Sequence, residues 1–443
     1  MSPPPMNSPG KSPKRPPPPE TIIIDRIGTE ADGIGRLADQ TPVYVPLTLP
    51  GETVHARPTR ARGNGWLADL DVLESPSSDR SEPPCSHFGR CGGCALQHWT
   101  DHAYRQWKSD LVSTALRQAG FIAPDPLPFR HGLPGERRRM DFAVRRIGRR
   151  IVLGLHTARS AEVEDINSCL VLHPVLQALL PRLRDLIAGL AAVHREASVI
   201  VNLLDAGPDL FLRTDASLPL EDRTALAEFA KIHDLPRISW AQTTQAPETI
   251  ALLRPPTSAL SGVLVRPPPG AFLQATEAGE HAIIEAVLAG LPTKKLTNRS
   301  RIAELYAGCG TLTMALAKFG RITAYEGDPD AFGALRQAVN QAALAGRVDP
   351  QLRDLVRQPV TAKELSAYAA VVLDPPHAGA PTQINQIAAA RPQVVIYVSC
   401  NPVALTRDAT HLRTAGYSLA SVTAIDQFLW SARVESVVVF SRE

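Results

Sequence analysis

No apolar run in this 443-residue chain reaches the roughly 20 residues that a helix needs to cross a bilayer. The first residues carry no apolar core of the signal-peptide kind. These absences make a soluble, cytoplasmic protein the expectation and set aside membrane partners and secretion. Cysteine is scarce too. The six thiols, Cys85, Cys91, Cys94, Cys169, Cys309 and Cys400, do not follow the spacing of a secreted disulfide framework. A large excess of one charge is also missing, the formal net charge being +3. Its distribution says more than its size. The stretch "FRHGLPGERRRMDFAVRRIGRR" (129–150) sets eight arginines, Arg137, Arg138 and Arg139 among them, against Glu136 and Asp141. Such a cluster suits a phosphate backbone, with a plain solvated face as the alternative.

The chain is too long for one ordinary core, and its 44% hydrophobic and 21% charged residues describe a globular protein of two or three domains. Residues 1–19 are Pro-rich and basic, and read as a disordered or polyproline tail. From 20 to 75, short β-type runs alternate with Gly/Pro turns, as in a small five-stranded barrel of the OB type. Mixed α+β signals fill 76–265. From 266 to 443, and clearly from about Arg301, strand and helix patterns alternate, which predicts a doubly wound, largely parallel sheet with an antiparallel pair at its end. The fold class is therefore α/β, preceded by a barrel and an α+β segment.

Within the last segment, "AELYAGCGTLTMALA" (303–317) runs from an apolar strand through Gly308 and Gly310 into a helix. Glycines there let the backbone approach a ligand, and the helix start offers free N–H groups. Glu326 in "AYEGD" ends the next strand, where a carboxylate holds ribose hydroxyls. A dinucleotide fingerprint wants a third glycine, and none is present. S-adenosylmethionine is thus favoured over NAD. Further on, "VVLDPPHAGA" places Asp374 at a strand end. Alone, this Asp-Pro-Pro-His sequence suggests an amino-N-methyltransferase. Cytosine-5 methyltransferases carry a thiol directly after this proline, and that thiol is absent. The thiol of Cys400 comes one strand later, in "YVSCNP", before an Asn-Pro turn that exposes its side chain. Its bland reading is a buried strand-end cysteine. Glu435, entering the apolar "ESVVVF", is a candidate for a perturbed, proton-handling carboxylate.

The group "CSHFGRCGGCALQHW" (85–99) has Cys85, Cys91 and Cys94 in C-x5-C-x2-C spacing, with Cys169 as a fourth candidate thiolate. Four soft ligands suit zinc or a 4Fe–4S cluster, and spacing leaves the two open.

Taken together, these motifs resemble those of the bacterial RNA uracil-5 methyltransferases, specifically the 23S rRNA type with a TRAM barrel and an iron–sulfur cluster. The likeness runs from about Thr21 to the C-terminus. "DGIGRLA" resembles the TRAM glycine signature. The resemblance implies a 4Fe–4S cluster on Cys85, Cys91, Cys94 and Cys169. It implies donor contacts from Gln274 in "FLQATEAGE", from Tyr306, Gly308, Gly310 and Thr311, and from Glu326, Asp354 and Asp374. It implies catalysis by Cys400, Asp374 and Glu435. The partner would be RNA, 23S rRNA before tRNA, and the protein a monomer. Three positions depart from the family pattern: Thr276 and Thr311 stand where Asn, or Asn or Asp, is frequent, and His377 stands where Asp-Pro-x-Arg is commoner.

The implied chemistry answers why a thiol stands at Cys400. Carbon 5 of uracil is a poor nucleophile, and a thiolate adding to carbon 6 turns the ring into an enolate whose carbon 5 attacks a sulfonium methyl. An amino-group RNA methyltransferase and a non-catalytic RNA-binding scaffold are the rival readings; neither gives Cys400 and Glu435 work to do.

Overall fold

A computed structural model of the protein describes residues 15–297 and 299–442, and most of the Pro-rich 1–19 segment lies outside the described residues. The chain divides into two compact units. One holds the described residues up to Pro84 together with Ala95–Tyr104; the other holds Cys85–Cys94 and Arg105–Glu443.

The first unit contains a closed five-stranded barrel, with Glu20–Ile27, Gly33–Arg36, Pro42–Val45, Gly65–Ser75 and Thr53–Arg62 in order around it. The strands alternate inward apolar with outward polar residues. Ile22, Ile24, Val43, Val45, Val54, Ala56 and Ala68 fill the interior.

In the second unit, a seven-stranded sheet runs Glu248–Leu252, Arg237–Gln242, Gly207–Thr214, Glu196–Leu204, Arg139–Ile147, Arg150–His156 and Val163–Asp165. The helices Pro174–Gly189 and Leu220–Ile232 pack on it through Leu176, Leu180, Leu183, Leu226 and Phe229.

The other large sheet positions the site. Its order is Val348–Leu352, Arg321–Glu326, Arg301–Leu305, Ala370–Leu373, Val394–Ser399, Glu435–Ser441, Ser418–Ile425 and Phe129–Arg130. The first five strands are parallel, and Glu435–Ser441 runs against both of its neighbours. "VVIYVS" is buried along its whole length, as a β-branched run covered on both faces must be. The strand order reverses between Arg301–Leu305 and Ala370–Leu373, and the crevice of such a sheet lies at that switch, past the carboxyl ends of the strands. Antiparallel Glu435–Ser441 begins where its parallel neighbour ends, Ser399 pairing with Ser436. That register alone brings Cys400 and Glu435 to one edge.

Candidate active site

Two turns build one side of the crevice. After Arg301–Leu305 the chain takes left-handed conformations at Tyr306 (φ +65°), Gly308 (+56°) and Gly310 (+101°), and then enters the helix Thr311–Leu316. A Cβ on Gly310 would stand 2.7 Å from Leu335 Cδ1, so that turn admits only glycine. A Cβ on Gly308 would meet nothing within 4 Å, so its face is open to a ligand. Glu326 closes over the turn: its carboxylate accepts from the amides of Gly308 at 2.7 Å and Asp328 at 2.6 Å. Asp354, in contrast, is exposed and accepts from Val356 and Arg357 of its own loop. Thr276 has a local task as well, since its hydroxyl caps the helix Glu277–Ala289 by accepting from Gly279 at 2.9 Å.

The other side is a chain of hydrogen bonds. Gln274 donates to Asp374 Oδ2 at 3.1 Å and accepts from Gln427 Nε2 at 2.8 Å. The same Gln427 nitrogen lies 2.8 Å from Glu435 Oε2, and Gln427 Oε1 accepts from the amide of Ala275 at 2.9 Å. Gln274, Gln427 and Glu435 are all buried. Cys400 is half-buried, in the gap between the strand Val394–Ser399 and the helix Pro402–Thr414. Asn401 caps that helix, accepting from Val403 at 3.0 Å. Cys400 Sγ lies 3.7 Å from His377 Nδ1, and Arg433 Nη1 lies 2.7 Å from both nitrogens of the same ring.

Electrostatics follow from burial. Burial, then the nearby Asp374, pushes the Glu435 carboxyl up; Gln427 opposes this. Burial also raises Asp374, against the hydrogen bond from Gln274. The Cys400 thiol is pushed up to about 12 by burial and then by Glu435 and Asp374, with Arg433 pulling the other way. Below the glycine turn, the buried Glu304 is raised to about 8 by burial, and its Oε2 has no hydrogen-bond partner. A lone carboxylate in "IAELYAG" is the signal that marks it.

Several residues that hold the site carry no motif. Gln427 is one, and Arg433 another. Lys108 Nζ reaches Asp426 Oδ1 at 2.6 Å, the Phe428 carbonyl at 3.0 Å and the Arg433 carbonyl, and so grips the loop that bears both. The arginine triplet also differs from its expectation as a phosphate-facing surface. Arg138 is 9% exposed and donates to Glu280 at 2.6 Å and to the Gln274 carbonyl at 3.1 Å, while Arg139 donates to the Ala271 carbonyl. Arg137 pairs by backbone with Thr276. At least two of these guanidinium groups therefore serve to fix the segment that carries Gln274, because a buried cation must be paired.

Among the described residues, the six cysteines form no disulfide. Burial raises Cys91 and Cys169; both sense Cys85, and Arg137 senses Cys169 and Cys94. The four expected ligands thus share one neighbourhood. Among the described residues, however, no three His, Cys, Asp or Glu side chains form a group that could hold a metal ion, so the expected closed four-thiolate set is not formed. Neutral thiols have no attraction that would gather them; bonds to a metal supply it.

Sheet order, glycine turn and neighbouring carboxylate define a class, a doubly wound α/β protein with a ligand crevice at its switch point. Known proteins narrow it. A protein of Rhizobium meliloti described as an uncharacterized RNA methyltransferase is 38% identical over 431 residues, 95% of this chain and 99% of its own length. The 23S rRNA (uracil(1939)-C(5))-methyltransferase RlmD of Dechloromonas aromatica is 32% identical over 433 residues, covering 94% and 98%. The chain belongs to the RNA uracil-5 methyltransferase family. The profile of the tRNA (uracil-5-)-methyltransferase family matches residues 351–443. The crystal structure of the Pyrococcus abyssi tRNA (uracil-54, C5)-methyltransferase with S-adenosyl-L-homocysteine has the same fold, with a TM-score of 0.70 at 20% identity over 95% of this chain and 99% of that one. No described helix is long and apolar enough to cross a membrane.

Proposed function

We propose that this enzyme methylates carbon 5 of a uridine in 23S rRNA, with S-adenosylmethionine as donor and Cys400 as covalent nucleophile. The supporting observation is the register that brings Cys400 and Glu435 to one sheet edge beside Gln274 and Asp374. Cys400 adds to carbon 6, and carbon 5 of the resulting enolate takes the methyl group. Glu435, raised by burial, removes the carbon-5 proton, and the thiolate then leaves. Gln274 and Asp374 orient the uracil and bear the charge that develops on its carbonyl. Tyr306, Gly308, Gly310, Thr311, Glu326 and Asp354 line the donor side; Glu326 is the carboxylate suited to ribose hydroxyls. The target base leaves its stack to reach this edge, and the barrel and arginine-rich sheet offer surfaces for the surrounding RNA.

The assignment to 23S rRNA rests on the full-length likeness to a 23S rRNA enzyme. A tRNA substrate is the second reading, favoured by the family profile and the Pyrococcus structure. The thiols Cys85, Cys91, Cys94 and Cys169 are four soft donors of the kind a 4Fe–4S cluster takes, and such a cluster would gather them and tie their two segments together. Iron and sulfide analysis of anaerobically purified protein tests that assignment. The protein would act as a cytoplasmic monomer.

The reaction is tested by incubating the protein with 5-fluorouridine-containing RNA and S-adenosylmethionine. A covalent adduct that Cys400→Ala does not form is expected; full turnover by Cys400→Ala would sink the reading. Mapping 5-methyluridine in rRNA and tRNA from cells with and without the gene decides the substrate.

A further inference from the structure

The loop that follows Asp374 is stiff. Pro375 and Pro376 fix their own φ angles, and the amide of Gly379 closes a turn onto the Pro376 carbonyl at 2.7 Å. Gly379 takes a left-handed conformation, with φ +76°. At its near end the loop is held through the Asp374 carboxylate, which accepts from Gln274. At its far end it enters the helix Pro381–Ala390, whose cap residue, Ala380, makes no side-chain capping bond.

That far end is gripped by the helix Pro402–Thr414, which begins two residues after Cys400, and by its cap. Asn401 Nδ2 donates to the backbone carbonyl of His377 at 2.9 Å, and Arg407 Nη2 donates to that of Ala378 at 2.9 Å. Asp408 Oδ2 accepts from the amide of Ala380 at 2.8 Å and from the Tyr397 hydroxyl at 2.7 Å, while Oδ1 accepts from Arg407 Nε at 2.8 Å. Asp408 and Tyr397 are fully buried, and the Arg407 side chain is half-exposed. A Cβ on Gly379 would stand 2.6 Å from both Arg407 Nη2 and Asp408 Oδ2, so the loop lies flush on this pair. Asp408 also places its carboxylate at the start of the helix Pro381–Ala390, where the aligned peptide dipoles favour an anion.

In the reaction proposed above, on which this role rests, Cys400 and Asp374 act on one ring. Carbon 6 of uracil lies across the ring from the edge that carries its carbonyls. The base therefore cannot shift to absorb a change in the spacing of the two side chains. We infer that Arg407 and Asp408 are positioning residues, which fix the 374–380 loop against the cysteine helix and so hold Asp374 and Cys400 at the separation the uracil requires. They act through the loop and not on the reacting atoms. Two carbonyls and one amide of a Pro-stiffened loop leave it little freedom, and Tyr397 joins the same carboxylate to the strand that leads to Cys400.

Two variants loosen the loop without stranding a buried charge. Arg407→Lys keeps a cation for Asp408 but lacks the planar fork that reaches the Ala378 carbonyl at the same time. Asp408→Asn keeps an oxygen for Ala380 and Tyr397 and turns its Nδ2 on Arg407, a group that only donates. Both should melt near the wild-type temperature and bind S-adenosylmethionine with unchanged affinity. Amide hydrogen exchange over 376–380 should quicken, with the strand Val394–Ser399 unchanged. Small misplacements of oriented groups are costly in rate, so kcat on 23S rRNA from cells lacking the gene should fall about 10- to 100-fold. The 5-fluorouridine adduct should form more slowly in the same ratio, while KM for RNA stays the same. Wild-type kcat and adduct rates in both variants, with Cys400→Ala inactive, would overturn this role alone. A loss of kcat that merely follows lost stability would assign the pair to folding and overturn it as well. Full activity in Cys400→Ala would overturn the covalent reading and this role with it.

Discussion

Gln427 and Glu435 share a buried hydrogen bond of 2.8 Å, in which an amide donates to a carboxyl that burial has raised above the ordinary carboxylate range. Gln427 also binds Gln274 and accepts from Ala275, so one side chain sets the distance between Glu435 and the Gln274 amide. Gln427→Leu strands three buried polar partners, each costing about 1–3 kcal/mol. A drop in melting temperature and a loss of at least tenfold in kcat are expected, with donor affinity unchanged. Because Gln427 lowers the Glu435 pKa, its removal should also move the acidic limb of the rate profile upward. A variant with wild-type kcat would show that the amide only fills space.

Burial of Glu435 predicts a stability cost for its charged form. Its carboxyl ionises near 4.5 when exposed and is pushed up to about 8 in the fold. Between these values the folded chain holds a proton that the unfolded chain has lost. Burial of the ionised group therefore costs nothing below pH 4.5 and its full penalty above pH 8. At about 1.4 kcal/mol per pKa unit, the cost is a few kcal/mol. Denaturant titrations at pH 5, 7 and 9 should find Glu435→Gln more stable than wild type at pH 9, with the gap closing towards pH 5. A gap independent of pH would rule out the raised carboxyl. The same variant should accumulate the Cys400–RNA adduct, since nothing removes the carbon-5 proton.

What the sequence disclosed follows a physical divide. "VVIYVS" is legible as a buried strand because both of its faces must be apolar, and the glycine turn is legible because left-handed backbone and close approach restrict residue choice. Family membership was readable because several such motifs coincide along one chain. Long-range pairing leaves no comparable trace. Nothing in "FR" at 129–130 announces an eighth strand beside Ser418–Ile425, nearly three hundred residues away. Arg138 looked like a phosphate contact because charge pattern records composition, whereas its partner Glu280 and its burial are set by tertiary packing. Thr276, singled out for its departure from the family's asparagine, caps a helix, a role the "TEAG" stretch carries by local rules. Gln427 and His377 meet Glu435 and Arg433 through tertiary placement that no local run of residues records.

The glycine turn gives a graded test of donor binding. Gly310→Ala places a Cβ 2.7 Å from Leu335 Cδ1 at φ +101°, so both steric and backbone strain oppose it. A loss of about 1–3 kcal/mol in stability is expected. Calorimetric affinity for S-adenosylmethionine should fall at least tenfold. Gly308→Ala meets open space and should cost less stability, yet its methyl group would point where a ligand approaches. Equal affinities for wild type and both variants would place the donor elsewhere.

Lys108 tests whether the loop grip is mechanical or merely stabilising. Its ammonium and the Asp426 carboxylate are both fully buried, 2.6 Å apart. Lys108→Met takes the ammonium from the buried Asp426, whose other oxygen lies 3.9 Å from His131 Nδ1, and loss of a buried ion-pair partner costs about 3–5 kcal/mol. It also releases the carbonyls of Phe428 and Arg433. Replacing both residues, as Lys108→Met with Asp426→Leu, removes the stranded charge and should recover much of the stability. It does not restore the two carbonyl anchors, so Gln427 and Arg433 lose their fixed distances to Glu435 and His377. The double variant should therefore melt near the wild-type temperature while kcat stays at least tenfold low and donor affinity stays normal. Recovery of kcat in step with stability would mean that the ion pair serves the fold and the loop needs no anchor.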